Sequence, residues 1–287
     1  MCAPKSLVEQ HLPRQSLLIY RRKHIMSSIP GETKACAIKL LPRSQWVEAA
    51  RRAISINPAN APMAHMLHLG TAAAVITPER LAIVTSKYWG AAGVHLTVSF
   101  LDNPAEDLRA RILEHMNAWG VYANVQFSEV DSNGQVRIAR LVGDGYWSYL
   151  GTDVLAIPTS EPTMNLDSFT MDTPNSEFVR VIRHETGHTL GFPHEHLRSE
   201  IVNLVDRDEA IKYFRNTQGW PPDVTIAQVL TPLESLGLIA TATPDQDSIM
   251  CYWLPAEIMM NHIEVRGGTD INARDGKFAG SIYRKNE

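Results

Sequence analysis

The sequence predicts an α+β fold, with strands around one helix in the middle of the chain and a mostly helical C-terminal part. Three observations carry this prediction: an alternating apolar segment at residues 94–100, a helically spaced segment directly after it, and two strand-like segments at residues 125–130 and 135–141. At 287 residues, with 44% hydrophobic and 20% charged side chains, the chain can bury one substantial core and a smaller appended unit.

The N-terminal part of the chain has weak periodicity. Prolines interrupt every candidate element up to residue 43, so we predict that residues 1–43 are irregular. Ser44 is predicted to cap a helix that runs through Ile56, and Asn57-Pro58 would end it. The alanine-rich stretch that follows, up to Arg80, fits no single element.

The clearest element is a strand in which Val94, Leu96, Val98 and Phe100 alternate with polar residues, as expected for a strand with one buried face. The next apolar residues recur at helical spacing and predict a helix. We expect the cap of that helix at Asn103, its first turn at Pro104 and its end at Gly120.

Turn residues separate the two strands predicted next, at residues 125–130 and 135–141. The Asn133-Gly134 pair between them favours a hairpin. A strand is predicted at residues 164–170, and Asn175-Ser176 is expected to cap a buried helix. Further helices are predicted at residues 208–214, 226–236 and 272–283.

The segment from His184 to His194 has the spacing of a zinc site. On a helix, four residues of separation rotate His184 and His188 by only about 40°, so both imidazoles face one point. Glu185 lies about 100° round the helix from His184, where it can hold a water beside the ion and act as a general base. A short HExxH match arises by accident often, but the longer pattern with Gly191 and His194 is far more specific.

A third ligand completes the predicted site. Gly191 is suited to end the helix with a positive φ and return His194 towards the other two rings. Glu209 is the alternative third ligand, but the short spacing favours His194. Three protein ligands leave one position open, which distinguishes a catalytic zinc site from a structural one. The pattern is therefore typical of a metalloprotease.

Composition excludes several other classes. The net charge is −4, and the one basic cluster, at residues 21–23, is too short to predict a basic surface that binds nucleic acid. No apolar run is long enough to span a membrane, and residues 1–28 do not form a signal peptide, so we expect no export by the ordinary route and leave the compartment open. Three scattered cysteines provide no disulfide framework. Oligomeric state is undetermined by the sequence.

Two motifs together resemble the astacin family of metzincin zinc peptidases. The zinc motif is followed directly by Glu195, and a later Ser-Ile-Met-Cys-Tyr segment contains Met250 and Tyr252. Residues 88–94 are also similar to the start of mature astacin domains. The resemblance implies a metzincin-like α+β domain over residues 81–287, with a twisted mixed sheet and the active-site helix above a cleft and an irregular lower subdomain. Residues 1–80 would be an N-terminal extension and a candidate prosegment.

The resemblance also implies residue roles. Met250 would pack beneath the zinc ligands, Tyr252 would be a fifth ligand or a phenol that stabilises the oxyanion, and Glu195 would form a buried pair near the N-terminus of the mature enzyme. His196 is expected to be a packed histidine rather than a ligand. An extended substrate would pair with an edge strand, for which residues 143–154 are the candidate.

The sequence departs from the family pattern in several places. The usual disulfides are missing, Cys251 stands where a histidine is common, and the family's Asp-containing inhibitory motif is not evident in residues 1–80. Cys36 is a candidate replacement, because an N-terminal thiolate could occupy the open zinc position until it is removed. The alternative is that Cys36 is simply buried.

The sequence therefore predicts a zinc metalloendopeptidase that holds one catalytic Zn²⁺ through His184, His188 and His194. Glu185 would be the general base, Tyr252 would assist, and the partners would be protein or peptide substrates. The competing hypothesis is a catalytically inactive, zinc-stabilised module that binds peptides. The intact Glu185 argues against it.

Overall fold

The computed structural model describes residues 36–61, 85–232 and 243–285. Within these residues, six strands form one mixed sheet in the order β1-β5-β6-β4-β2-β3. The strands are β1 (Cys36–Lys39), β2 (Val94–Phe100), β3 (Val125–Glu129), β4 (Val136–Ala139), β5 (Tyr146–Tyr149) and β6 (Met164–Leu166). β5 is antiparallel to β6, and the other neighbouring pairs are parallel.

Strand β2 lies where the alternating pattern predicts it, with Val94, Leu96 and Val98 buried. The predicted hairpin after it is wrong. β3 pairs with the first part of β2, and the chain then crosses β2 and continues as β4 on the other side, in the same direction. All four residues of β4 are buried, so both faces of the sheet are covered there, whereas β3 lies at the sheet edge and has one exposed face.

Seven labelled helices fall within the described residues. They are α1 (Trp46–Ile56), α2 (Glu106–Met116), α3 (Arg183–Thr189), α4 (Ser199–Val202), α5 (Arg207–Gln218), α6 (Pro222–Val229) and α7 (Ala273–Ile282). A helical turn at Asn175–Glu177 and a π turn at Phe178–Ile182 lead directly into α3. None of the described helices is long and apolar enough to cross a membrane.

The buried side chains form two main clusters. The upper cluster joins the sheet to α2 and α3 and includes Val98, Ile112 and Ile182. The lower cluster joins α5 and α6 to the C-terminal loops and includes Phe214 and Val229. The division agrees with the predicted α+β metzincin-like architecture, and the site described below lies where the two clusters meet.

Several predicted helix starts are corrected. Ser44 lies inside a 3-10 turn, Arg43–Gln45, and makes no capping bond to α1. Asn103 has a φ of 45°, and α2 begins after Ala105 without a side-chain cap. The helical turn at Asn175 likewise has Pro174 before it and no side-chain cap. Tertiary packing therefore sets these starts, as it often does for helices with a buried face.

The C-terminal predictions agree better. α5 is longer than predicted and begins at a true cap, because the Asp206 carboxylate accepts from the main-chain N–H groups of Asp208 and Glu209. α7 begins with a capping box of Asn272 and Asp275. α6 begins and ends before the predicted bounds, and residues 233–242 lie outside the described part of the chain.

The N-terminal prediction of irregular structure is wrong for Cys36–Lys39, which forms β1 beside β5. Main-chain pairing explains this, since a four-residue strand needs no sequence period of its own when a partner edge is present. All described residues belong to one compact unit, Lys34–Glu287. Residues 1–35, which were also predicted to be irregular, lie outside the described part of the chain.

Candidate metal centre

The zinc motif lies on the helix predicted for it. α3 carries His184, Glu185 and His188, and each of these side chains is buried. In the π turn before it, the Arg180 guanidinium donates two hydrogen bonds of 3.0 and 2.8 Å to the Glu177 carboxylate. Such turns are often found next to functional sites.

Three imidazoles converge at the end of this helix. The Nε2 atom of His194 lies 3.2 Å from that of His184 and 3.0 Å from that of His188. His184 directs its Nδ1 to the Ile249 carbonyl at 2.6 Å, and His188 directs its Nδ1 to the Phe192 carbonyl at 2.8 Å. These carbonyls fix the rings with the Nδ1 proton facing outwards and the Nε2 lone pair facing the centre.

The donor set fits a zinc ion. Burial is the largest cause that lowers the pKa of each ring, to about 4 for His184 and well below the usual value for His188 and His194. The rings are therefore neutral, and His184 and His188 each direct an Nε2 lone pair at the centre that a cation would accept. Tetrahedral ligands about 2.05 Å from Zn²⁺ would be roughly 3.3 Å apart, close to the observed separations.

The chain returns His194 to the site through a tight turn. Gly191 has a φ of 94°, as the sequence predicts, and its N–H donates to the His188 carbonyl at 2.8 Å. The Phe192 N–H donates to the Gly187 carbonyl at 2.9 Å. Gly191 also packs against Tyr88, where an added Cβ would lie 3.0 Å from the ring. Both the positive φ and the close contact favour glycine at this position.

Met250 lies beneath the helix that carries His184 and His188. Its thioether packs against Gly187, between the first two histidines. The turn that holds it is anchored by α7, because the Asp275 carboxylate accepts from Ser248 Oγ at 2.5 Å and from the Ile249 N–H at 3.0 Å. Ile249 in turn orients His184 through its carbonyl. The C-terminal helix therefore supports the orientation of the His184 ring.

Glu185 faces the site from the same helix. Its side chain is fully buried, and neither carboxylate oxygen has a hydrogen-bond partner of good geometry among the described residues. Burial raises the pKa of Glu185 to about 8, against smaller opposite effects from Cys36 and the Arg180 charge. A nearby dication would favour the charged carboxylate. A buried carboxylate with free acceptors is suited to hold a water.

Tyr252 closes another side of the site. Its ring stacks on His196 at 4.2 Å and lies 4.3 Å from the His194 ring, measured between centroids. The phenol oxygen is buried and has no hydrogen-bond partner of good geometry among the described residues. Burial, followed by Cys36 and Glu185, raises the pKa of Tyr252 well above its usual value. The phenol therefore remains a neutral donor.

Cys36 is the fourth residue at this centre. One ligand atom from each of Cys36, His184, His188 and His194 can be chosen so that all four lie within 4.8 Å of one another. Burial, and then Glu185, raise the pKa of the Cys36 thiol well above its usual value. A bound dication would act in the opposite direction, since a coordinating thiol is deprotonated. The sequence names Cys36 as a candidate, and the structure brings it beside the three histidines.

The other residues considered at the sequence level lie elsewhere or have structural roles. Glu209 is exposed on α5, pairs with Lys212 at 2.7 Å and is not part of the group of candidate ligand atoms around the three histidines. His196 is packed, as predicted, and links the Gln228 carbonyl to the Tyr252 N–H through its two ring nitrogens, at 2.9 and 3.3 Å. Glu195 accepts from the Asp245 N–H at 3.2 Å, which connects the third ligand segment to the loop before Met250.

Sequence reasoning missed three supporting residues. Asp275 anchors the methionine turn, Gly187 leaves room for the thioether, and Gln228 contacts β1. A glycine inside the predicted helix was an available signal for Gly187. Asp275 and Gln228 act across 26 and 190 residues of sequence, so no local pattern could have identified them.

The fold and this donor set define the class of metzincin-type zinc peptidases. Residues 83–217 match the family model described as Astacin, a peptidase family. The curated protein "Zinc metalloproteinase nas-27" of Caenorhabditis elegans is 29% identical over 146 residues, which cover 50% of this chain and 31% of that protein. The chain therefore spans about a third of the length of this relative.

Solved structures agree with the family match. The "Structure of myroilysin" is 28% identical, with a TM-score of 0.65 over 70% of this chain and 97% of that one. The "Crystal structure of myroilysin" is 29% identical, with a TM-score of 0.54 over 70% of this chain and 87% of that one. Together these matches support a zinc metalloendopeptidase similar to the astacin family.

Proposed function

We propose that this protein hydrolyses peptide bonds of proteins at a zinc ion held by His184, His188 and His194. The convergence of the three Nε2 atoms, with separations of 3.0 and 3.2 Å, carries the proposal. When bound, zinc would lower the pKa of a water molecule and polarise the scissile carbonyl. The residues of the protein would then orient the water and the substrate and transfer one proton from the water to the leaving amine.

Glu185 is proposed as the general base. Its carboxylate, which has no hydrogen-bond partner of good geometry among the described residues, accepts the proton of the attacking water and then passes it to the leaving amine. No covalent intermediate is required. Tyr252 is proposed to donate its phenol hydrogen bond to the developing oxyanion, because its buried hydroxyl has no other partner of good geometry among the described residues.

The substrate is proposed to bind as an extended chain along β5. This strand, Tyr146–Tyr149, lies within the segment predicted to be the substrate edge, and its outer edge is paired by β1. The pairing supports the proposal, because this edge already accepts another strand through main-chain hydrogen bonds. A peptide in this position would pass the three histidines, since Cys36 at the start of β1 does so.

The same pairing supports a latent form, and we propose that Cys36 closes the open metal position in the intact chain. β1 then occupies the substrate groove, and the Cys36 thiolate would hold the metal at the position that a water would otherwise take. The division of the chain into an extension, residues 1–80, and a catalytic domain, residues 81–287, remains part of this proposal. Activation would require β1 to leave the groove.

Replacing Glu185 with Gln tests the catalytic proposal. The variant should retain zinc, because the three histidines are unchanged, and should lose casein digestion by a factor of about 10²–10⁴. Digestion by the wild type should also stop when a chelator is added. Full activity of Glu185→Gln with bound zinc would contradict the proposed base.

The position of Cys36 also favours the rival hypothesis of a zinc-stabilised peptide-binding module. A zinc site closed by four protein ligands is typical of a structural site. A zinc-stabilised peptide-binding module would remain inactive after Cys36→Ser opens the site. Peptide cleavage by the zinc-loaded Cys36→Ser chain would exclude it.

A further inference from the structure

Gln228, on α6, contacts β1 from the side opposite β5. Its Oε1 accepts from the Ile38 N–H at 3.1 Å, and its Nε2 donates to the Ile38 carbonyl at 3.0 Å. One carboxamide therefore satisfies both main-chain groups of one residue. The N–H and C=O of an extended residue point to the same side, so this pairing imitates a neighbouring strand.

The contact places β1 between the two parts of the domain. On one side Ile38 is in register with Ser148 of β5, and on the other side it bonds Gln228 in the lower cluster region. No side chain of Ile38 takes part in either Gln228 bond. A groove built in this way recognises extended main chain whatever its sequence.

The position of Gln228 is coupled to the metal centre. Its main-chain carbonyl bonds His196, which stacks on Tyr252 and follows the third histidine by two residues. Gln228 itself is only 8% exposed, with its carboxamide directed at the groove. The lower wall is therefore held in place by the same segment that supplies His194.

We infer that Gln228 is a main-chain clamp that positions an extended peptide substrate against β5. The inference rests on the proposed peptidase function. In the intact chain the clamp holds Ile38, and in the active enzyme it would hold one substrate residue by the same two hydrogen bonds. Gln228 does not touch the reacting atoms, so it is a positioning residue.

The first test measures alkylation of Cys36 in the zinc-loaded full chain. Gln228→Ala removes both bonds to Ile38 and should raise the alkylation rate about tenfold, because β1 opens more often. Peptide mass spectrometry gives the rate at each cysteine. An unchanged rate at Cys36 would overturn the clamp.

Two controls separate the clamp from general loosening. Cys251 is buried in the same lower cluster as Cys36, so its alkylation should not change in Gln228→Ala. Gln126→Ala removes an exposed glutamine on β3, at the far edge of the sheet, and should leave Cys36 unchanged. If Gln228→Ala loosens both cysteines, Gln228→Asn repeats the test with a side chain too short to reach Ile38.

The second test addresses the substrate. In a full chain with Cys36→Ser and Ile38→Pro, the thiol is removed and position 38 has no N–H to donate to Gln228. Adding Gln228→Ala to this background should raise KM for an extended peptide about tenfold and change kcat less than about twofold. An unchanged KM would overturn the substrate role.

The two tests distinguish failure of this inference from failure of the proposed function. If no variant cleaves peptides, the peptidase proposal fails and the substrate role of Gln228 fails with it. The contact between Gln228 and β1 would still be decided by the alkylation rates, which do not depend on catalysis.

Discussion

Gly187 and Met250 are in direct contact, and a Cβ at Gly187 would overlap the Met250 sulfur. The same Cβ would lie 3.1 Å from Met250 Cε and 3.3 Å from Trp119 Cζ2. The middle of the zinc motif therefore requires the smallest residue because a methionine lies beneath it. This contact links the two motifs that are 63 residues apart in the sequence, from Gly187 to Met250.

Gly187→Ala should therefore destabilise the protein. In an ordinary helix interior this change stabilises by about 0.5–1 kcal/mol, whereas overpacking costs about 1–3 kcal/mol. The overlap decides the sign, and we expect a net loss of about 1–2 kcal/mol in the free energy of unfolding. Thermal denaturation of the zinc-loaded protein measures it. Combining the change with Met250→Ala should cost less than the sum of the two, and strict additivity would contradict the contact.

Asp275→Asn should weaken the metal site from a distance. The carboxylate accepts from Ser248, Ile249 and Asn272, and an amide turns a donor towards one of these groups. We expect a loss of about 1–3 kcal/mol in stability. Zinc affinity should fall about 10–100-fold, since Ile249 orients His184. Competition with a chromophoric chelator measures the affinity.

The matched control for this change is Asp270→Asn. Asp270 is half exposed and pairs with Arg183 at the surface, where such pairs contribute little. The zinc affinity of the Asp270→Asn variant should equal that of the wild type. Equal losses in the two variants would show that removal of any nearby negative charge is sufficient, against a specific role for Asp275.

Local patterns predicted the elements that depend on local causes. The alternation of apolar and polar residues predicted the bounds of β2. The helical spacing of His184 and His188, with Gly191 after them, predicted a set of histidines that the structure brings together. Each of these depends on residues at most ten positions apart. The α+β class followed from the same signals.

The features that sequence reasoning missed depend on distant neighbours. The segment 125–141 reads as a hairpin locally, but β4 is fully buried and so pairs between β2 and β6. β1 exists because β5 and Gln228 accept its main chain, and no pattern in four residues reveals that. Cys36 could be named as a possible ligand from its chemistry, whereas its place beside the histidines required the fold.

Cys36→Ser should activate the full chain. The hydroxyl is a poorer ligand than a thiolate, so β1 is held less tightly and leaves the groove in a larger fraction of molecules, and peptide cleavage should increase about tenfold. In Co²⁺-loaded protein, the wild type should exhibit thiolate-to-cobalt absorption that the variant lacks. Cys2→Ser, which removes a thiol elsewhere in the sequence, should alter neither the rate of peptide cleavage nor the cobalt absorption. A wild-type spectrum without the thiolate band would contradict ligation by Cys36.

Tyr252→Phe should reduce catalysis without disturbing the site. The phenylalanine ring preserves the stack on His196 and the contact with His194, so zinc affinity and stability should remain within about 0.5 kcal/mol of the wild type. Loss of a hydrogen bond to the developing oxyanion should lower kcat about 10²–10³-fold with little change in KM. A rise in KM with kcat unchanged would instead assign the phenol to substrate binding. The buried hydroxyl has no partner of good geometry among the described residues, so its removal breaks no well-formed hydrogen bond of the resting site, and the change in kcat reports on the transition state.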